Sequence, residues 1–193
     1  MTGYVSPKLK GLDLLIRADS TNLGFLQPFI EGIFSEINGR VNGNVRLYGD
    51  FKHLDLEGEV RAKMDAKIDV LNTYFQIRDD SIHISSGSLD FRNVKVYDRE
   101  GHDGLVNGYL HHTKLKNLMY HFNIRGNNLL MYNTYEAGNM PFYGKVYGTG
   151  NVVLDGGNNA MTVDASLTTG SNTSFTYITG VTTEAASNQF ILL

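Results

Sequence analysis

Polar and apolar positions alternate with period two along most of the chain. The clearest run is Leu54 to Val70. Leu54, Leu56, Gly58, Val60, Ala62, Met64, Ala66, Ile68 and Val70 are apolar or glycine. Every residue between them is charged: Asp55, Glu57, Glu59, Arg61, Lys63, Asp65, Lys67 and Asp69. Successive side chains of a strand point to opposite faces, so this pattern predicts a sheet with one wet face and one dry face. At about 3.3 Å per residue the run would span roughly 56 Å. Ordinary strands have about 5–6 residues. The pattern therefore predicts one long curved strand, or two strands bent at a small residue such as Ala62 or Ala66.

The alternation continues beyond this run. Phe75 and Ile77 are expected to pair with Ile82 and Ile84 across Asp79-Asp80. Leu89 and Phe91 are followed by Val94 and Val96, and the change of step predicts a bulge near Asn93. Arg99-Glu100-Gly101 reads as a turn. Leu118, Tyr120, Phe122 and Ile124 form a further strand, expected to end at Gly126-Asn127-Asn128. Gly144 to Leu154 and Met161 to Leu167 give two more, separated by a turn at Gly156-Gly157-Asn158-Asn159. From Ser166 to Ser187, 11 of 22 residues are Ser or Thr, which predicts an exposed or edge region. Gly39-Arg40-Val41-Asn42-Gly43 followed by Asn44-Val45-Arg46-Leu47-Tyr48-Gly49 is echoed by Gly144-Lys145-Val146-Tyr147-Gly148 and Asn151-Val152-Val153-Leu154-Asp155-Gly156. Such an echo points to stacked β units.

One segment breaks the period. Leu26, Phe29, Ile30, Ile33, Phe34 and Ile37 have helical spacing, Pro28 suits a first helical position, and Asn38-Gly39 suits a stop. The spacing predicts an amphipathic helix at about 27–38, packed on the sheet or capping its end. The expected organisation is a lead-in strand over 1–22, the helix within 23–38, and a repeating β segment over 39–193. The fold class is all-β with one short helix. The apolar Phe190-Ile191-Leu192-Leu193 terminus reads as a strand cut mid-way, as in an excerpt from a longer protein.

Composition agrees with strands: 21 glycines, 3 prolines and no tryptophan. Cysteine is absent, which removes disulfides and thiolate metal sites. The net charge of −3, without a basic run, argues against nucleic acid. The first residues lack the features of a signal peptide, and no run of 18 apolar residues exists. No nucleophile elbow, phosphate loop or zinc motif is present. Asp98, Glu100, His102 and Asp103 surround Gly101 and could bind a cation, but turns are normally built from these residue types. His111 and His112 are adjacent, so on a strand they face opposite sides. His53, His83 and His121 lie singly at polar positions. No catalysis, metal or cofactor is expected.

What remains is the dry face. Either a second sheet packs on it or it lines a trough. Its expected lining is Leu54, Leu56, Val60, Ala62, Met64, Ala66, Ile68, Val70, Phe75, Ile77, Ile82, Ile84, Leu89, Phe91, Tyr120, Phe122, Ile124, Val146, Val152 and Leu154. Their role would be desolvation. Each buried CH₂ is worth about 0.8 kcal/mol, enough for a lipid chain to bind without polar specificity.

These features in order resemble the TamB group of AsmA-like envelope proteins. The likeness rests on the apolar segment ending in Gly39-Arg40-Val41-Asn42-Gly43 and Leu47-Tyr48-Gly49-Asp50, then Leu54-Asp55-Leu56-Glu57-Gly58-Glu59-Val60. Ser88-Leu89-Asp90-Phe91, Gly104 to Gly108, Tyr143-Gly144-Lys145-Val146-Tyr147-Gly148-Thr149-Gly150, Thr173-Ser174-Phe175 and Gln189-Phe190-Ile191 continue it, over most of residues 20–193. The resemblance implies an elongated, solenoid-like β-groove folded like a taco around an apolar interior. It implies a place in the periplasm of a diderm bacterium, in a protein anchored to the inner membrane. It also implies phospholipid or other acyl-chain cargo, and a barrel partner in outer-membrane assembly that other regions of the protein would contact. Two rivals share the alternation. An outer-membrane barrel would turn its apolar face to lipid, but Gly58, Ala62 and Ala66 suit a concave interior better. A secreted β-solenoid that binds carbohydrate would show exposed aromatics beside polar residues, and 54–70 shows only charges there.

Overall fold

The computed structural model describes residues 1–8, 10–27, 34–69, 71–113, 116–135, 142–157 and 160–178. They form eleven strands: β1 (Thr2–Ser6), β2 (Gly11–Asn22), β3 (Phe34–Asp50), β4 (His53–Ile68), β5 (Thr73–Ser85), β6 (Ser88–Tyr97), β7 (Asp103–Thr113), β8 (Lys116–Thr134), β9 (Phe142–Gly157), β10 (Ala160–Thr169) and β11 (Ser174–Tyr177). All belong to one antiparallel sheet in which β1 to β10 are neighbours in chain order. β11 pairs with the first residues of β9, in line with β10. Among the described residues nothing pairs β1 with β10, so the sheet is open.

The run from Leu54 to Ile68 is a single strand, paired with β3 from Leu54↔Gly49 to Ile68↔Phe34. Its alternation is as expected: Val60, Ala62, Ala66 and Ile68 are buried, whereas Glu59, Arg61 and Lys63 are exposed. The two copies of the glycine echo fall on β3 and β9, long strands that are each paired on both sides. The bulge near Asn93 is present: register shifts between Phe91 and Val94, and Asn93 takes φ 53°. Asn and Asp tolerate this left-handed conformation better than other non-glycine residues.

Three expectations need correction, all for the same reason. The helix expected at about 27–38 does not extend over Phe34 to Asn38. Leu23–Leu26 is a single 3-10 turn capped by the Asn22 side chain, residues 28–33 lie outside the described residues, and Phe34 to Asn38 begin β3. Phe34 and Ile37 are three apart, a spacing that fits one helix face. On a strand they would face opposite ways, but a register shift between Phe34 and Glu36 brings both to the apolar side. Gln27 then secures this start, its amide donating to Ser35 O at 2.8 Å and its side-chain oxygen accepting from Ile37 N at 3.1 Å. Gly39 is not a helix stop but a strand residue opposite Met64. Likewise Asp79-Asp80 is not a turn. Phe75, Ile77, Ile82 and Ile84 share β5, and a shift between Ala62 and Met64 in its pairing keeps all four on one face. Finally, Gly126-Asn127-Asn128 does not end its strand, because a bulge with Asn128 at φ 51° carries β8 on to Thr134.

A single flat sheet would leave its apolar face wet. Here the face is buried because the sheet curls. β5 and β8 lie three places apart in the sheet yet touch. Leu71, in the turn after β4, accepts at its carbonyl from Asn133 N at 3.0 Å. Asp98, in the turn after β6, accepts from Leu130 N at 2.9 Å. β6 and β7 are short, so β8 runs past their turn and meets the β4–β5 turn beyond it. Bulges supply the curvature that brings these segments together.

Candidate functional site

The apolar face reads as rows of side chains crossing the sheet. One row runs Ile16, Val45, Gly58, Ile84, Leu89, Leu110, Tyr120, Gly156 and Met161, from β2 to β10 without a charged residue. Another passes from Phe91 through Gly108 to Phe122, Leu154 and Val163. Gly108 lies between two aromatic residues and has φ 154°. With no side chain there, Phe91 and Phe122 meet edge to face across it, their centroids 5.3 Å apart. Such pairs add roughly 0.5–1.5 kcal/mol beyond the area they bury.

The expected lining residues fall into three groups. Val60, Ala62, Ala66, Ile68, Phe75, Ile77, Ile82, Tyr120, Phe122, Ile124, Val152 and Leu154 are buried in one cluster. Met64, Ile84, Leu89 and Phe91 are half-buried and pack against it. Leu56 and Val146 are half-buried and Leu54 is exposed. Val70 lies outside the described residues. From β4 to β9, then, the trough is filled by its own side chains. Val94, Val96, Val106, Leu110, Leu129 and Met131 belong to the same core and were absent from the expected lining. Leu129 and Met131 follow the unforeseen bulge of β8.

The face is little covered on the arm formed by β1 to β4, as it also is at Val163 of β10, which is 44% exposed. On β1 to β4, Val5, Leu12, Leu14, Leu47, Leu54 and Leu56 share the apolar side by register: Val5↔Leu12↔Gly49↔Leu54 and Leu14↔Leu47↔Leu56. Val5 is 56% exposed and Leu54 43%, and the other four are half-buried. None belongs to the packed core. Sequence alternation over Leu12, Leu14 and Ile16 was the signal for this arm. Leu15, exposed on the opposite face, interrupts it.

The outer face of the same arm is charged and cross-linked. Arg46 donates to Asp13 at 2.7 Å and to Glu57 at 2.8 Å, spanning three strands. The hydrogen bond from Arg46 holds the Asp13 carboxyl below the usual range. Arg61 pairs with Asp79 in the same way at 2.9 Å. Exposed pairs of this kind contribute little to stability and serve mainly to mark the wet side.

The cluster around Gly101 has a structural task. The Asp98 side chain has 0% exposure. It accepts from Glu100 N, His102 N, His102 Nδ1 and Leu130 N at 2.8–2.9 Å. Burial pushes this carboxyl up, but the donors outweigh it and its pKa lies below the ordinary value. Glu100 continues outward to Lys145 at 2.6 Å and Tyr147 Oη at 2.8 Å. The segment is a turn, as expected, and it also latches the β6–β7 connection to β8 and β9. His111 is exposed and lies against Tyr109, and the His121 ring donates from Nδ1 to Asp155 Oδ1 at 2.6 Å. Among the described residues no three His, Asp or Glu side chains converge as metal ligands. The chemistry that this geometry offers is removal of water from apolar groups.

No family model matches the chain, and no curated protein or solved structure matches it.

Proposed function

We propose that this chain is a stretch of β-groove that shields lipid acyl chains, within a TamB-like protein of the periplasm that carries phospholipid between inner and outer membranes or aids outer-membrane protein assembly. The observation that carries the reading is the β1–β4 arm. There the apolar face continues in register from the packed core, yet its side chains are left half-buried or exposed. Contiguous exposed apolar surface marks a place where a ligand, a membrane or another protein binds. The open edge of the sheet favours a groove over a closed barrel. Between β4 and β9 the interior is already filled, so an acyl chain lies along the arm and goes deeper only by displacing the half-buried Met64, Ile84, Leu89 and Phe91.

Native mass spectrometry of the purified chain tests this. Phospholipid is expected to remain bound, or to be taken up from vesicles. A Leu54→Asp, Leu56→Asp variant should lose it while keeping its circular dichroism, because both side chains can reach water and avoid most of the desolvation cost of a buried charge. In the full-length protein the same variant should fail to maintain the outer membrane. If the unmodified chain neither retains nor takes up any acyl lipid, the reading fails.

A further inference from the structure

The turns of the sheet alternate between its two ends, and their charges differ. At one end lie the β1–β2 turn with Lys8 and Lys10, the β3–β4 turn with Phe51 and Lys52, and the β5–β6 turn with Ser86 and Gly87. At the other lie the β4–β5 turn with Asp69 and the β6–β7 turn with Asp98, Arg99 and Glu100. The first end is basic although the chain as a whole carries −3. Lys8, Lys10 and Lys52 are exposed, and none is in an ion pair among the described residues.

The acidic groups nearby are already engaged. Asp50 accepts from Lys52 N, His53 N and the His53 ring. Asp13 is held by Arg46, and Asp55 by Ser86 and Gly87. The two lysine turns are tied together, since Phe51 N donates to Lys10 O at 2.8 Å. Directly beneath them the apolar face is little covered, at Val5 and Leu54. The acidic end is the reverse: the Asp98 latch and the Leu71–Asn133 bond close it, and Ile68, Leu71, Leu129 and Met131 fill it.

Resting on the groove reading above, we infer that the lysine-bearing end of β1–β4 is the mouth of the groove, where the phosphate of an anionic phospholipid headgroup meets Lys8, Lys10 and Lys52 while an acyl chain runs down past Val5 and Leu54. An anionic phosphate and an apolar tail are the one ligand that satisfies both halves of this end. Unpaired ammonium groups gain from the phosphate, and the adjacent uncovered leucine and valine gain from the chain. The acidic, sealed end offers neither.

The test uses the whole chain and two fluorescent probes with the same labelled acyl chain, phosphatidylglycerol and phosphatidylcholine, presented in vesicles. Transfer of the labelled chain into the protein is read as an emission increase. The unmodified chain should take up phosphatidylglycerol in preference, and the preference should shrink at high salt. Lys8→Glu, Lys10→Glu, Lys52→Glu together should weaken uptake of phosphatidylglycerol by about tenfold or more. Uptake of phosphatidylcholine should stay near its original level. Arg40→Glu, Lys63→Glu, Arg125→Glu, an equal charge change on the outer face, should leave both unchanged. Equal uptake of the two lipids by the unmodified chain, or an unaffected lysine variant, overturns the mouth while leaving the groove standing. Adhesion to phosphatidylglycerol vesicles without transfer of the chain also overturns it, in favour of docking on a membrane surface. Uptake of neither lipid removes the groove reading itself.

Discussion

At the scale of single residues, the most consequential side chain is a buried carboxylate. Asp98 satisfies three backbone N–H groups and one imidazole. Asp98→Ala leaves Leu130 N buried and unpaired, and it should cost about 3 kcal/mol of stability in denaturant unfolding. Because the folded pKa of Asp98 is lowered, its contribution is present above the unfolded value of about 3.9 and is lost as pH falls through the lower folded value. Stability should therefore fall steeply below about pH 4. Asp98→Asn, which has no carboxyl to protonate, should flatten that part of the profile. His102 is half-exposed and gives only one of the four contacts, so His102→Ala should cost less than Asp98→Ala.

At the scale of elements, bulges and glycines do the shaping. Gly108 shows this best. Its φ of 154° disfavours an L side chain, and a Cβ there would run into the His121 carbonyl oxygen of β8. Gly108→Ala should destabilise the protein by about 2 kcal/mol, in line with strain at a special backbone position. It should also drive Phe91 and Phe122 apart, visible as loss of the mutual ring-current shifts of their protons. The same reasoning separates the two parts of β4. Ala62→Asp places a carboxylate in the filled core and should unfold the chain, whereas Leu54→Asp, at an exposed position, should fold.

For the whole molecule, the distribution of burial predicts unequal stability. β4 to β9 enclose the core, whereas β1 and β11 are exposed along nearly their whole length and pair on one side only. Hydrogen exchange should show amides of β5 to β8 exchanging about a hundredfold or more slowly than those of β1 and β11. The β1–β2 arm should gain protection when lipid is bound, as it would if the arm is where cargo sits. Equal protection across all strands would mean that the arm is as firmly held as the core, and so is not adaptable to a guest.

The sequence by itself determined the strands and their faces. From Leu54 to Ile68 every charge points out and every apolar residue in, because a pleated strand has no other way to arrange a period of two. It also announced the bulge at Asn93, where the step of the pattern changes. What it did not determine were the places where a bulge preserves a face across an odd spacing, as at Phe34 and Ile37, since a helix explains that spacing equally well. Nor did it determine how much of the dry face is dry. Alternation marks which side of a strand is apolar, but not whether another part of the sheet covers it. That was decided by curvature, by β8 outrunning β6 and β7, and by Asp98 and Leu71 fastening their turns to Leu130 and Asn133. These contacts join residues 32 and more apart in sequence, so no local pattern could encode them. They fill the trough from β4 to β9 and leave it open beside Lys8, Lys10 and Lys52.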